Sequence, residues 1–150
     1  MYNKTRHSVY KLTYHIVLVV KYRKRVITED ISRGLLRVLC GYNIEVIEWN
    51  YEEDHIHTII KTPLDFNIIK TLNSYKSRSS REIRATYPQV RSKLWGGSFW
   101  KIGFFIETVG SNSIEVVKKY IQNQRGGEVS WYKQVRIYFL VIKKQNNILV

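Results

Sequence analysis

The stretch Ile44-Glu45-Val46-Ile47-Glu48-Trp49-Asn50-Tyr51-Glu52-Glu53-Asp54-His55-Ile56-His57-Thr58-Ile59-Ile60-Lys61-Thr62 holds two β-rich runs around a short acidic turn, and Pro63 ends it. Alternation on both sides of Glu52-Glu53-Asp54 predicts an antiparallel hairpin with strands Ile44 to Tyr51 and His55 to Thr62. Working outward, Ile31, Leu35, Val38 and Leu39 recur at helical spacing behind a Thr28 or Asp30 cap, and Gly41 is placed to stop that helix. Before it, Ser8 to Tyr22 is dense in Val, Ile, Thr and Tyr without Gly or Pro and predicts one long strand running into Lys21, Arg23, Lys24 and Arg25.

Beyond the hairpin, Phe66, Ile69, Leu72, Tyr75 and Ile83 form a helical stripe between Asp65 and Ala85, with Lys76, Arg78, Arg81 and Arg84 on the other side. Gly96-Gly97 marks a loop, and Phe99 to Val109 is a β-rich run closed by Gly110. Asn112 with Glu115 makes a capping-box-like start to a helix reaching about Gln124, stopped by Gly126-Gly127. The order β-α-β-β-α-β-α predicts an α+β fold: a ferredoxin-like (RRM-like) split βαβ antiparallel sheet with helices on one face, plus an appended C-terminal helix carrying Tyr120. Residues 1–128 read as a single domain and 129–150 as a tail of unassigned structure, in which Val135 to Ile142 is strand-like.

A chain of 150 residues suits one domain with a real core. With 25 Lys and Arg against 12 Asp and Glu the net charge is +13, which makes a polyanion, nucleic acid first, the expected partner. The 44% apolar content argues against disorder as the source of that charge. The lone Cys40 cannot close an internal disulfide or build a thiolate zinc site, and reads as a core residue in a reducing compartment. Met1 to His7 runs into alternating residues and not an apolar signal core, and the runs Ile16 to Val20 and Tyr138 to Ile142 fall short of the roughly 20 residues of a membrane span. The expectation is a soluble, cytoplasmic, nucleoid-associated protein with no membrane partner.

Within the hairpin, His55 and His57 at i and i+2 share one strand face about 6.6 Å apart, so two imidazoles can converge on one cation while Ile56 faces the core. Asp54 adjoins them as a supporting carboxylate. On the predicted last helix, Tyr120 and Gln124 share a face one turn apart and offer a phenol and an amide oxygen. A phenol is protonated at neutral pH, so its attack on phosphorus needs a nearby cation or base. Two imidazoles and an amide oxygen suit a divalent metal, Mg or Mn. Such a transesterification conserves bond energy and needs no nucleotide cofactor; neither Gly pair belongs to a phosphate-binding loop, and no nucleophile-elbow motif is present. Basic and aromatic residues interleave in Lys21 to Arg25, in Tyr75 to Arg81, and from Leu94-Trp95 to Phe99-Trp100-Lys101, the mix of a surface that grips phosphates and stacks exposed bases.

Five segments at their spacing resemble the small HUH single-tyrosine transposases of bacterial and archaeal insertion sequences, the IS200/IS605 type. They are Tyr14-His15 through Lys21-Tyr22-Arg23-Lys24-Arg25; Glu53-Asp54-His55-Ile56-His57; Tyr75-Lys76-Ser77-Arg78-Ser79-Ser80-Arg81; Leu94-Trp95 to Phe99-Trp100 with Thr108-Val109-Gly110; and Val116-Val117-Lys118-Lys119-Tyr120-Ile121-Gln122-Asn123-Gln124. The resemblance spans roughly residues 8 to 125. It implies that His55, His57 and Gln124 hold a divalent cation and that Tyr120 is the nucleophile joined to the DNA 5′ end. It implies basic faces, here Lys21, Arg23, Lys24, Arg25, Lys76, Arg78, Arg81, Lys101, Lys118 and Lys119, that bind subterminal hairpins of single-stranded DNA. It also implies a homodimer in which the tyrosine helix can be exchanged between subunits. The tail from Trp131 to Val150, aromatic, β-rich and basic, departs from the family pattern.

Two rival readings stand beside the insertion-sequence transposase. One is a domesticated relative that processes repeated chromosomal hairpins and keeps Tyr120. The other is a non-catalytic single-strand-binding module on a ferredoxin-like sheet, for which charge and stacking aromatics suffice.

Overall fold

A computed structural model describes residues 2–110. The predicted Asn112 to Gln124 helix, and with it Lys118, Lys119, Tyr120 and Gln124, lies outside the described residues, as do the tail and its 128/129 boundary.

The chain opens with two short strands, β1 (Asn3–Lys4) and β2 (Val9–Tyr10), paired antiparallel, followed by β3 (Leu12–Val19). Helix α1 (Glu29–Cys40) leads to β4 (Glu45–Glu52) and β5 (His55–Thr62); α2 (Ile68–Thr86) and α3 (Pro88–Lys93) precede β6 (Phe105–Thr108). The four long strands form one antiparallel sheet in the order β4-β5-β3-β6, with the β4–β5 hairpin bulged at Ile47. Two strands that are not neighbours in sequence, β3 and β5, lie at its centre, so both βαβ crossovers are split as the element order requires.

One sheet face, with Ile16, Leu18, Val20, Ile56 and Ile60, meets Ile31, Leu35, Val38 and Leu39 of α1 and Leu72, Tyr75 and Ile83 of α2. Burying each aliphatic side chain contributes about 1.5–3 kcal/mol, so this layer dominates stability. Of the two capping residues that the sequence offers, Thr28 caps α1 by accepting from the Ile31 amide, and Asp30 lies in the first turn. At Gly34 an added Cβ would stand 3.0 Å from Cδ1 of Ile83, which lets α1 and α2 approach closely. Tyr75, fully buried, donates its hydroxyl to the Leu35 carbonyl at 2.9 Å and ties the same two helices.

Several expectations require correction. The single strand Ser8 to Tyr22 is two, β2 and β3, and ends earlier. The Val20 amide donates to the Asp54 carbonyl, and Tyr22 and Arg23 turn the chain with φ of 58° and 53°, a left-handed conformation no strand continues through. The run Phe99 to Val109 contributes only β6. Trp100 makes an isolated bridge to Val20, Gly103 at φ 86° breaks the extension, and Phe99 and Trp100 turn into the core. The second helix starts at Ile68 behind an Asn67 cap; Phe66 precedes it, and Ile69 points to solvent. Helix α3, with Pro88 in its first turn, adds an element that the sequence order β-α-β-β-α-β-α does not contain. Cys40 is exposed, because the last turn of α1 carries it past the buried stripe.

Candidate active site

Strand alternation sends Ile56 toward the helices and His55 and His57 to the opposite sheet face. Their rings lie 5.0 Å apart at 84°, and both residues are buried, at 1% and 3% exposure. The turn ahead of them is held by the preceding segment: the Val26 and Ile27 amides donate to the Glu53 carbonyl at 3.0 and 2.9 Å. Asp54, itself buried, places Oδ1 2.5 Å from Nδ1 of His55 and Oδ2 3.6 Å from Nε of Arg23. A carboxylate on Nδ1 fixes the His55 tautomer and directs Nε2 away from the turn, the arrangement found behind metal-binding histidines.

His57 has a different neighbour. The register sets Val17 of β3 opposite His57 and His15 opposite Glu107 of β6, so His15 lies diagonally across from His57 on the same face. Nε2 of His15 is 3.2 Å from Nδ1 of His57, and the rings stack at 5.5 Å and 13°. Phe105 closes edge-on against His15 at 5.7 Å. Burial lowers the His15 pKa to about 4; burial first, then repulsion from His55 and His15, holds His57 well below its ordinary value of 6.5. Both imidazoles are therefore neutral at neutral pH and keep a lone pair, the state a metal ligand needs.

Two buried imidazoles on one sheet face, His55 backed by a carboxylate and His57 held neutral by burial, fit a nitrogen-tolerant divalent cation. Among the described residues no group of three or more His, Cys, Asp or Glu is placed to hold a metal, so a third ligand of that kind is not found there. Gln124 lies outside them.

The basic residues divide by what they touch. Lys24 and Arg25 are exposed, with Arg25 3.7 Å from Glu53. Arg23 leans on Asp54 and so belongs to the support of His55. Lys21 is half-buried, its ammonium 5.3 Å from the exposed ring of Tyr22. On α2, Arg81 is exposed and Arg78 sits 3.4 Å from Glu82. Lys76 donates to the Lys101 and Gly103 carbonyls, both at 2.8 Å, and fastens the loop that carries the exposed Lys101. A pocket of about 590 Å³ opens there, lined by Asn73, Lys76, Ser80, Arg81 and Trp100 among others.

Of the aromatics within the basic runs, Tyr75 is buried, as its place on the α2 stripe predicts, and Phe99 and Trp100 are core residues too, drawn inward by the α1–α2 layer; Tyr22 and Trp95 are exposed. Ser79 and Ser80, inside the basic run, are buried anchors: Ser79 accepts from Trp100 Nε1 at 2.9 Å and Ser80 from the Phe99 amide at 3.0 Å. His15 and Glu107 carried no role in the sequence reading. The available signal was His15 in alternation with Val17 and Val19 on a strand destined to lie beside the histidine pair.

Comparison with known proteins places this geometry in context. The model of the family described as IS200-like transposases matches residues 8–124. The ISDra2 transposase TnpA of Deinococcus radiodurans is 35% identical over 129 residues, covering 83% of this chain and 92% of that protein. The transposase for insertion sequence element IS200 of Salmonella typhimurium is 28% identical over 122 residues, covering 79% and 80%. A crystal structure of a candidate transposase from Deinococcus radiodurans superposes with a TM-score of 0.65 at 26% identity, covering 81% of this chain and 97% of that one. A REP-associated tyrosine transposase bound to a REP hairpin shares the fold, with a TM-score of 0.58 at 15% identity over 85% and 76% of the two chains.

Proposed function

Because this chain belongs to the IS200-like transposase family and so acts on DNA as a cleaving enzyme, we propose that it cleaves and rejoins single-stranded DNA with Tyr120 as the nucleophile and the His55–His57 pair as metal ligands. The observation that carries the reading is the pair itself: two buried imidazoles on one sheet face, with Asp54 behind the first. The phenolic oxygen of Tyr120 attacks phosphorus in line. An Oη–P bond forms, the P–O3′ bond breaks, the phenol loses its proton and the 3′ oxygen gains one. The 5′ end stays on the tyrosine, and reversal by another 3′ hydroxyl rejoins strands without a nucleotide cofactor.

His55, His57 and Gln124 would hold the cation, Mg or Mn, which when bound supplies positive charge to the non-bridging phosphate oxygen and the leaving 3′ oxygen. Lys24, Arg25, Arg78, Arg81 and Lys101, with Lys118 and Lys119, contact phosphates, and Tyr22 and Trp95 are the aromatics free to stack. Hairpin binding is supported by the fold shared with the hairpin-bound REP-associated protein. The insertion-sequence reading is favoured over a domesticated hairpin processor by 35% identity to ISDra2 TnpA against 15% to the REP-associated enzyme. A homodimer with exchanged tyrosine helices is supported by the family resemblance. No helix among the described residues is long and apolar enough to cross a membrane.

The test is cleavage of labelled single-stranded DNA from the flanking ends of the element. Wild type should cut with Mn²⁺ and not with EDTA. His57→Ala and Tyr120→Phe should each fail alone and recover activity when co-refolded, if the site is shared between subunits. Cleavage by His57→Ala alone, or by wild type in EDTA, would overturn the metal-site reading.

A further inference from the structure

We infer that His15, oriented by Glu107, is a positioning residue that holds His57 in the one tautomer able to bind a metal. The inference rests on His57 being a ligand, as proposed above. An imidazole can ligate through Nε2 only if its proton sits on Nδ1. For His55 that is arranged directly by the Asp54 carboxylate, 2.5 Å from Nδ1. At Nδ1 of His57 stands Nε2 of His15, 3.2 Å away.

Between two neutral imidazoles one nitrogen must donate and the other accept, and the two choices have opposite consequences. If His15 carries its proton on Nε2, it donates to His57, whose proton is then forced onto Nε2 and blocks ligation. If His15 carries its proton on Nδ1, its Nε2 accepts from Nδ1–H of His57 and leaves the His57 Nε2 lone pair for a cation. Glu107 decides between them. Its Oε2 lies 3.8 Å from Nδ1 of His15, too long for a direct hydrogen bond, but close enough for its charge to favour a proton on that nitrogen.

The register puts all three groups on one face: His15 is opposite Glu107, and Val17, two residues on, is opposite His57. Stacking on His57 at 13° and edge contact with Phe105 lock the His15 ring against the rotation that would break the relay. The two candidate ligands are thus each backed by a carboxylate, one in contact and the other through an intervening histidine.

The experiment uses the full chain, with Mn²⁺ as the probe, and reads two quantities. One is Mn²⁺ affinity by calorimetry; the other is the histidine tautomers in the metal-free protein, from long-range ¹H–¹⁵N spectra of ¹⁵N-histidine-labelled chain. Wild type should show Nδ1–H at His15 and His57. Glu107→Gln, at a half-exposed position that the fold tolerates, should move His57 toward Nε2–H and weaken Mn²⁺ by about 10-fold or more. His15→Phe should weaken it comparably, and His15→Gln, whose amide oxygen can accept from His57, should restore it.

Affinities of Glu107→Gln and His15→Phe within about twofold of wild type would overturn the relay while leaving the metal site standing. So would weakened binding with unchanged tautomers, which marks a merely structural role. Absence of His57-dependent Mn²⁺ binding in wild type would instead refute the metal reading itself and the relay with it.

Discussion

Oδ1 of Asp54 lies 2.5 Å from Nδ1 of His55, and the same carboxylate reaches Arg23 through its other oxygen at 3.6 Å. Asp54 therefore joins the basic turn after β3 to the first candidate ligand. Its substitution should be felt at the metal site before it is felt in the fold. Asp54→Asn is expected to weaken Mn²⁺ binding by about 10–100-fold, the usual cost of losing a carboxylate behind a ligating histidine. Calorimetric titration checks it, and an unchanged affinity would separate Asp54 from the site.

Ser79 stands at a second junction. It donates to the Tyr75 carbonyl within α2 and accepts from the buried indole of Trp100. Ser79→Ala leaves that indole N–H without its acceptor and should destabilise by about 1–3 kcal/mol, measured by urea denaturation. Ser77→Ala, two residues away and exposed, should stay within about 0.5 kcal/mol of wild type. Equal effects would show that the anchor contributes nothing specific.

Arg81 is exposed on the same helix and free to meet phosphate, unlike Lys76, whose ammonium is engaged by two backbone carbonyls. Arg81→Ala should weaken binding to single-stranded DNA and reduce the slope of log K against log salt by about 1. A parallel displacement with unchanged slope would remove Arg81 from the phosphate contacts.

Acid should loosen the metal-free protein through His15. Its folded pKa is about 4 against 6.5 for an unperturbed imidazole, so below pH 6.5 the unfolded chain takes up a proton that the folded chain refuses. Stability is then fully present above about pH 6.5 and is lost as pH falls toward 4, with about 2 kcal/mol gone by pH 5 from this residue. His57 is displaced in the same direction and adds to the loss. Urea midpoints in EDTA at pH 7.5 and 5.0 should differ accordingly, and His15→Gln should shrink the difference. Coincident midpoints would refute the assignment.

What was legible in the sequence is what local chemistry dictates. The strand His55 to Thr62, the Thr28 cap and the α1 stripe each depend on neighbours within a few residues, and each stands where the spacing puts it. The left-handed turn at Tyr22 and Arg23 was not legible, because it depends on the Glu53–Asp54 carbonyls reached across the sheet. Tyr75 is buried as its place on the α2 stripe predicts, but the burial of Phe99 and Trp100 is not legible in a run where aromatics alternate with basic residues; within 75–81 a basic run and a buried helix face share the same residues, Ser79 and Ser80 turning inward while Arg78 and Arg81 turn out. His15 stayed silent for a third reason. Its significance lies in register, and a histidine two places from Val17 acquires a role only once Val17 is known to pair with His57.

The most direct measurement is mass spectrometry of the covalent species formed with Mn²⁺ and single-stranded DNA from the flanking ends of the element. After proteolysis and nuclease digestion, the peptide carrying Tyr120 should bear a 5′-linked nucleotide, and the adduct should be absent with Tyr120→Phe and in EDTA. Attachment at another residue, or strand cleavage with no protein adduct, would contradict a tyrosine transesterification at the His55–His57 site.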